Sequence, residues 1–305
     1  MSFSITILGS SGAMPAYGRH PSAQLVEIQN RSFLVDCGEG VQMQLMRYQA
    51  NTHRINHIFI SHLHGDHYLG LMGLIFTMHL QRRTNDLHIY SHRGLDEIIT
   101  TQFKYSRSSP NYKIIFHRLE KDKREIIFED DALTVETIPL KHKIRCSGFL
   151  FKEKTKPRRI DKDKIPAGFL LQNMAALKRG EDILDESGNV LYRNTDYTIS
   201  PKRSRSYAYC SDTAYLESMI EQIKDVDCLY HEATFTFEDE SKALETQHST
   251  AQQAASIAKQ ANVGKLLLGH FSARYKELND VLQEATPIFA NTALALEGET
   301  FTIAE

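Results

Sequence analysis

HIFISHLHGDHYLG, residues 57–70, is the most informative stretch of this 305-residue chain. It begins as a compact run of β-branched and aromatic residues, which is typical of a strand buried on both faces, and continues into histidines instead of turn residues. Four side chains that can bind metal follow within six residues: His62, His64, Asp66 and His67. Zinc prefers imidazole nitrogen and carboxylate oxygen, and a tight loop can aim side chains two residues apart into one space. The HxHxDH spacing therefore predicts a metal site, for two ions rather than one.

A purely structural explanation of this cluster is a helix-capping aspartate beside solvent-facing histidines. Asp66 does begin an apolar-periodic stretch at 66–83, which predicts a helix with this aspartate at its N-cap. Three histidines and an aspartate so closely spaced nevertheless favour metal binding over that explanation.

Three further candidate ligands each follow an apolar, strand-like run. They are His142 after TVETIPLK, Asp212 after SYAYCS and His270 after VGKLLLG. Functional groups at strand ends tend to converge on one edge of a sheet in layered α/β folds. One such residue alone is more often structural, but the three together with the cluster predict a shared site.

The rest of the body alternates strand and helix patterns, which predicts a mixed α/β protein with one large core. Helices are expected near 41–48, 214–223 and 249–261, among others. The amino terminus lacks a basic region followed by an apolar run, and no stretch approaches the roughly 18 apolar residues of a membrane span. The four cysteines are scattered without a disulfide-like pattern. A cytoplasmic protein without membrane association is expected.

Residues 152–205 interrupt this alternation and are expected to form an inserted arm. This segment is charged, punctuated by proline and weakly periodic, and it carries 13 Lys and Arg against 8 Asp and Glu. Its net charge is therefore +5, and the remainder must carry −7 to give the total of −2. The global charge does not indicate a nucleic-acid partner, but the arm could contact phosphates.

HxHxDH followed by a distant His, Asp and His resembles the metallo-β-lactamase superfamily. The resemblance implies an αβ/βα sandwich with two Zn²⁺ per subunit at one edge. It also implies a ligand assignment, in which the first metal takes His62, His64 and His142, the second takes Asp66, His67 and His270, and Asp212 bridges them.

Further motifs resemble the ribonuclease Z family within that superfamily. They are LGSSGAMP (8–15), FLVDCGEGVQ (33–42), PKR (201–203), HEAT (231–234), HST (248–250) and GHFSARY (269–275). The resemblance implies an endoribonuclease that cleaves the 3′ trailer from precursor tRNA by metal-activated water and leaves a 3′-hydroxyl. It implies a single domain over 1–305, a homodimer, and an arm at 152–205 that grips tRNA, often in the partner subunit.

The same family likeness assigns chemical roles to several residues. His248 is the candidate acid that protonates the leaving 3′-oxyanion, Glu232 its orienting partner, and Asp66 both a ligand and the base for the attacking water. A capping box over 249–252 is expected to fix His248 at a helix entrance. Lys202 and Arg203 are candidate phosphate contacts near the active edge, against the alternative of a solvated loop.

Three features have no role in this assignment or depart from the family. His231 is expected to be structural. The turn GSSG, 9–12, could donate backbone N–H groups to a phosphate or could simply be a tight turn. Where the family often has Gly-Pro in the arm, this chain has Ala167, Gly168 and Phe169.

Other classes of protein remain as alternatives or are excluded. A binuclear phosphodiesterase acting on small or cyclic diesters would share every ligand but would not need the basic arm. A metal-bearing scaffold without catalysis is disfavoured, because all seven ligands are present together with Asp66 and His248 as base and acid. No GxSxG elbow indicates a serine hydrolase, and no GxGxxG follows the first strand.

Overall fold

Two seven-stranded sheets pack face to face in the part of the chain that the computed structural model describes, residues 2–120, 122–166 and 168–305. The first sheet has the order β18-β1-β2-β3-β4-β5-β6, with β1 (Phe3–Gly9), β2 (Ala23–Ile28), β3 (Arg31–Val35), β4 (Ile55–Phe59), β5 (Leu87–Ser91), β6 (Ile114–Arg118) and β18 (Thr300–Thr302). The second has the order β17-β16-β15-β14-β9-β8-β7, with β7 (Ile126–Glu129), β8 (Leu133–Leu140), β9 (Cys146–Glu153), β14 (Ser206–Cys210), β15 (Cys228–Glu232), β16 (Leu266–Gly269) and β17 (Thr292–Leu294).

Helices cover the outer faces of both sheets. Against the first sheet lie α1 (Val41–Arg47), α3 (Leu71–Leu80) and α4 (Leu95–Ser106), with the single-turn α2 (Gly65–Tyr68) before α3. Against the second lie α8 (Ala251–Gln260) and α9 (Asn279–Ala285), with α7 (Glu240–Thr246) before them. Aromatic side chains such as Phe59, Phe151 and Tyr209 fill the space between the sheets. The expected α/β sandwich is confirmed.

Strand direction brings many chain segments to one edge of the sandwich. Strands β3 to β6 are parallel, and so are β14 to β17. Strand β8 is antiparallel to β9, which is antiparallel to β14, so β8 also ends at the edge where β14 ends. Ser147 N donates to Ser61 O across the two sheets at 3.0 Å, so the carboxyl ends of their parallel strands meet. We call this the metal edge below.

The arm occupies the segment between β9 and β14. Its elements are β10 (Arg159–Ile160), α5 (Leu171–Arg179), β11 (Ile183–Leu184), β12 (Val190–Tyr192), α6 (Asn194–Tyr197) and β13 (Thr198–Ile199). Pairing of β10 with β13 makes a short stalk, and Phe169 packs against Tyr192 and Tyr197 beyond it. Because β9 runs away from the metal edge, the arm leaves the body at the opposite edge. In the stretch that departs from the family, Ala167 lies outside the described residues.

Three helix expectations are wrong in detail. The helix expected over 66–83 is divided into α2 and α3, and His64, not Asp66, occupies the N-cap of α2. Gly70 donates its N–H to the carbonyl of Cys37 at the division, and a Cβ there would lie 2.1 Å from the carbonyl oxygen of Gly38. This close tertiary approach ends the first helical turn.

The other two differences also have tertiary causes. The segment 214–223 contains only a 3₁₀ turn at Glu217–Met219, and the N–H of Ala214 donates to Lys141 O beyond β8. The capping box at α8 is formed by Thr250 and Gln253, one residue later than expected. The Ser249 hydroxyl instead contacts another segment, where it donates to Thr213 O at 2.7 Å.

Within the described residues, none of the helices has both the length and the apolar composition needed to cross a bilayer.

Candidate metal centre

The seven expected metal ligands lie together at the metal edge. The first sheet contributes the loop and helical turn after β4, and the second sheet contributes the segments after β8, β14 and β16. The ligands are His62, His64, Asp66 and His67 from the first sheet, and His142, Asp212 and His270 from the second. Residues more than 200 positions apart therefore meet because the strands before them end at the same edge.

His62, His64 and His142 form the first group, around one oxygen of Asp212. His62 Nε2 and His142 Nε2 lie 3.0 and 3.2 Å from His64 Nδ1, and 3.5 and 3.7 Å from Asp212 Oδ2. Such separations suit an ion about 2.0 to 2.2 Å from each atom. Burial lowers the pKa of all three histidines, which keeps them neutral, the form that binds metal.

Asp66, His67 and His270 form the second group, around the other oxygen of Asp212. His67 Nε2 and His270 Nε2 each lie 3.2 Å from Asp212 Oδ1, and 3.4 and 3.3 Å from Asp66 Oδ2. Asp212 thus turns one carboxylate oxygen toward each group. This is the geometry that a bridging ligand requires.

The environment of His67 indicates that this site favours positive charge. Its Nε2 is buried and makes no hydrogen bond. Burial lowers the pKa of His67, but the carboxylates of Asp212, Asp66 and Asp36 raise this pKa well above its ordinary value. Buried carboxylates are stable only when cations or hydrogen bonds compensate them. The donor set of imidazoles and carboxylates therefore fits divalent metal ions.

Asp36, to which the sequence reasoning gave no role, holds His67 in place. This fully buried residue follows β3, and its Oδ2 accepts hydrogen bonds from His67 Nδ1 at 2.7 Å, Tyr209 OH at 2.6 Å and Ser61 Oγ at 2.9 Å. A carboxylate that binds Nδ1–H leaves Nε2 free to face a metal. The available signal was its position directly after a buried strand, inside a motif already singled out.

The amino-terminal loop supports the ligands. Ala13 N donates to Asp66 Oδ2 at 2.8 Å, and the N–H groups of Ser11 and Gly12 donate to backbone carbonyls of neighbouring segments. A Cβ at Gly12 would lie 2.8 Å from the ring of His270. These N–H groups are not available to a phosphate, so the structure supports the tight-turn explanation of this loop.

His248 and Glu232 form a hydrogen-bonded pair beside the metal ligands. His248 Nδ1 lies 2.8 Å from Glu232 Oε1, and His248 Nε2 lies 4.0 Å from Asp212 Oδ2. Burial lowers the pKa of His248, but Glu232 outweighs burial and raises this pKa to about 9. His248 is therefore protonated at neutral pH. Distance alone would also allow Asp212, His248 and His270 to hold an ion, but the pairing with Glu232 leaves His248 a proton donor.

Thr234 links this pair to a metal ligand, a contact that sequence reasoning missed. Its hydroxyl donates to Glu232 Oε2 and lies 2.8 Å from His270 Nδ1. A hydroxyl has one proton and a carboxylate only accepts, so His270 Nδ1 must donate to Thr234. His270 Nε2 is then the free nitrogen that faces Asp66 and Asp212.

Lys202 and Arg203 do not lie at the metal edge. They precede β14, at the opposite edge, where Lys202 pairs with Glu305 and Arg203 with Asp227. The expectation that they lie near the metal site is wrong. Contact with phosphates elsewhere on the substrate stays a prediction.

The remaining histidines belong to none of the potential metal groups found among the described residues. His231 is fully buried, and its Nδ1 lies 2.7 Å from the carbonyl oxygen of Glu232. His57, His88 and His117 stack on neighbouring strands, with ring centroids 4.9 and 5.1 Å apart along the stack. These positions agree with a structural role.

Family models match two parts of the chain. Residues 3–156 match a model described as the anti-Pycsar protein Apyc1, and residues 178–271 match a β-lactamase superfamily domain. Both matched segments contain expected ligands.

Curated relatives match the full length. The chain is 48% identical to ribonuclease Z of Cytophaga hutchinsonii, over 100% of this chain and 97% of that protein. It is 44% identical to ribonuclease Z of Bacteroides fragilis, over 97% of each chain, and 40% identical to that of Parabacteroides distasonis, over 99% of each.

Among solved structures, human tRNase Z, short form, is similar with a TM-score of 0.73 and 27% identity, covering 99% of this chain and 100% of that one. A metallo-β-lactamase fold protein from Bacillus subtilis, at 20% identity and a TM-score of 0.70 over 99% of this chain and 100% of that one, shares the fold.

Proposed function

Because the chain belongs to the ribonuclease Z family, we propose that it is a metal-dependent endoribonuclease that cleaves the 3′ trailer from precursor tRNA and leaves a 3′-hydroxyl. The hydrogen-bonded pair of His248 and Glu232 carries the proposal, because it places a protonated imidazole next to the metal ligands. A ribose 3′-oxyanion is a poor leaving group that needs such a proton. A diester with a good leaving group does not.

We propose two Zn²⁺ per subunit, the first held by His62, His64 and His142 and the second by Asp66, His67 and His270, with Asp212 shared. Two ions held in this way supply a water of lowered pKa and stabilise the charge on the attacking and leaving oxygens. The support is the division of the other six ligands around the two oxygens of Asp212.

Asp66 is both a ligand and the proposed proton acceptor for the attacking water. Its Oδ2 faces His67 and His270, whereas Oδ1 has no partner among the described residues and can accept the proton. Burial raises the pKa of Asp66, but His67 and His270 lower this pKa well below its ordinary value. The carboxylate is therefore always ionised, as a ligand must be, and the low pKa makes it a weak base whose benefit comes from its position.

His248 acts at the end of the reaction. Its Nδ1–H is held by Glu232, so Nε2 is the atom that gives its proton to the leaving oxygen. Burial raises the pKa of Glu232, but the charge and hydrogen bond of His248 lower it below its ordinary value. Its oxygens also accept hydrogen bonds from Thr213 N at 2.7 Å and from Thr234. The pair is thus fixed before substrate arrives.

The arm at 152–205 is the proposed tRNA-binding exosite. Strand β9 begins at the metal edge and has eight residues, which at about 3.3 Å per residue places the arm root roughly 25 Å from the metal ligands. The arm therefore leaves the body far from the metal site of its own subunit. It can contact the distant body of a bound tRNA, and Lys202 and Arg203 at its root are candidates for phosphate contacts there.

A homodimer would bring one subunit's arm toward the other subunit's metal edge. Helices α1 and α3 touch through Gln42 and Thr77, and four of the exposed side chains on and beside them are large and apolar. They are Met43, Met46, Leu69 and Leu80. Exposed apolar patches on soluble proteins commonly mark interfaces. We expect Met43→Glu with Met46→Glu to convert dimer to monomer in sedimentation velocity, and a wild-type monomer would refute the dimer.

A cytoplasmic location is proposed from the same activity. All four cysteines are buried thiols without a disulfide partner, as suits a reducing compartment.

Incubation of the zinc-loaded protein with a 3′-extended precursor tRNA, beside bis(p-nitrophenyl) phosphate, tests the function. We expect one cut at the 3′ side of the acceptor stem on a gel, and loss of both activities in Asp66→Ala, which removes a ligand and a base together. Turnover of the small diester alone would instead favour a binuclear phosphodiesterase of small or cyclic diesters.

A further inference from the structure

A cleft of about 790 Å³ lies between the arm and the body, at the edge opposite to the metal centre. Ile160, Ile165 and Met174 of the arm line one side, and Gln29 and Ala132 from turns between body strands line the other. Pockets that hold small ligands are commonly about 300 to 1,000 Å³ and mostly apolar. The cleft therefore has the size and surface of a small-molecule site.

Cations outnumber carboxylates around the cleft, where seven Lys and Arg side chains stand against Asp131 and Glu305. Three of its lysines are already paired with carboxylates: Lys154 with Glu129, Lys156 with Glu153 and Lys202 with Glu305. Four further cations of the lining, Arg158, Arg159, Lys162 and Lys178, form no ion pair within the part of the chain that the structure describes. The Nε atoms of the two arginines donate to Thr198 Oγ1 and Ser200 O, which leaves their outer N–H groups for a ligand. Like charges around one apolar cavity repel each other, and an anion bound among them removes that repulsion.

We propose that this cleft binds a free phosphate-bearing molecule of the size of a mononucleotide, with its ring against Ile160, Ile165 and Met174 and its phosphate among the four unpaired cations. Guanidinium groups bind phosphate oxygens in pairs and stack on flat rings, so Arg158 and Arg159 can serve both parts of such a ligand. Inorganic phosphate would leave the apolar walls in contact with water. An RNA duplex is too large to enter a cavity of this volume.

The ligand would touch both the arm and the body, and would hold the arm in the position seen here. It would not reach the metal edge, which lies at the other end of β9. We therefore expect an occupied cleft to slow cleavage of precursor tRNA and leave hydrolysis of bis(p-nitrophenyl) phosphate unchanged. This consequence rests on the proposed role of the arm, whereas binding itself does not.

Titration calorimetry of the zinc-loaded protein with AMP tests the proposal. We expect one site per chain, weaker binding of adenosine and of inorganic phosphate, and at least tenfold weaker binding of AMP in Lys162→Ala with Lys178→Ala. The matched control is Lys224→Ala with Lys259→Ala, which removes two exposed lysines outside the cleft and should bind AMP as the wild type does. Met174→Glu places a carboxylate inside the cleft and should also prevent binding.

Three results with AMP would overturn the proposal. They are no binding of AMP, binding that the cleft variants and the control affect equally, and inhibition of bis(p-nitrophenyl) phosphate hydrolysis by AMP, which would place the ligand on the metal centre. An RNA trinucleotide that binds the cleft more tightly than AMP would show that RNA, not a free nucleotide, is the occupant, and would refute the assignment. AMP binding can be measured even if the protein does not cleave precursor tRNA. Failure of the proposed function is therefore distinguishable from failure of the proposed nucleotide site.

Discussion

The protonation state of His248 should control RNA cleavage. Its pKa is raised to about 9 by Glu232, against the effect of burial, so it is protonated below that pH and loses its proton as the pH rises through it. We expect precursor cleavage to fall above about pH 9. His248→Ala should cost about 10²- to 10⁴-fold on RNA and little on bis(p-nitrophenyl) phosphate, because p-nitrophenolate leaves without a proton. The measurement is kcat/KM against pH for both substrates.

Glu232→Gln provides the matched variant for that prediction. Removing the carboxylate lowers the pKa of His248, so the falling limb of the RNA profile should move toward the ordinary histidine value of about 6.5. Equal losses on the RNA and aryl diesters in His248→Ala, or an unmoved limb in Glu232→Gln, would contradict the role of His248 as the acid.

The hydroxyl of Thr234 should matter for metal affinity although it is not a ligand. It accepts the Nδ1–H of His270 and donates to Glu232. Valine has the same shape without the hydroxyl, so Thr234→Val should weaken zinc binding by about 10- to 100-fold, measured by competition with a chromophoric chelator. Thr234→Ser keeps the hydroxyl and should bind zinc as tightly as the wild type does. A serine variant as weak as the valine variant would indicate a packing role only.

At the level of single residues, the sequence predicted which candidate ligands the structure brings together, but not the residues that orient them. The ligands follow strands, and strand ends can be read from apolar runs. Asp36 and Thr234 also follow strands, yet an aspartate two residues before a glycine and a threonine before a phenylalanine look like ordinary turn residues until the third dimension is known. Lys202 and Arg203 were misplaced because they precede β14, and residues before parallel strands lie at the edge opposite to those after them.

Element boundaries failed where tertiary contacts override local patterns. The periodicity over 66–83 is helical throughout, but the backbone of Gly70 packs against Gly38 and the helix divides. At 214–223 the chain makes a 3₁₀ turn instead of a helix, because its first N–H is bonded to the segment after β8. The long, strongly apolar strands were predicted correctly because burial on both faces leaves little choice of conformation.

The arm should be removable without damage to the metal centre. Arg159 and Ile199 are paired residues of the stalk, so their Cα atoms lie about 5 Å apart and a short Gly-Ser linker can replace residues 160–198. We expect bis(p-nitrophenyl) phosphate hydrolysis to be unchanged and the KM for precursor tRNA to rise at least ~10-fold as phosphate contacts are lost. Steady-state kinetics on both substrates measure this. Full retention of tRNA affinity would refute the arm as the exosite.

In the whole molecule, the candidate metal ligands come from both sheets. His62, His64, Asp66 and His67 come from the first sheet, and His142, Asp212 and His270 from the second. The core between the sheets is apolar, whereas at the metal edge buried carboxylates face each other across the interface. Asp36 and Asp66 stand on the first sheet's side of this edge, and Asp212 on the other. Metal binding should therefore stabilise the contact between the sheets as well as supply the chemistry.

Removal of the metal should lower the melting temperature. An ion present at 100 times its Kd contributes about 2.7 kcal/mol of folding free energy. Two sites then contribute about 5 kcal/mol, which for a chain of this size corresponds to a fall of roughly 10 °C, measured by calorimetry with and without a chelator. Asp212→Asn removes the shared ligand, so the melting temperature of this variant should not respond to zinc. Equal melting temperatures of the chelated and the zinc-loaded wild type would show that the core alone holds the sheets together. The cation that compensates Asp36, Asp66 and Asp212 would then be protonated His67.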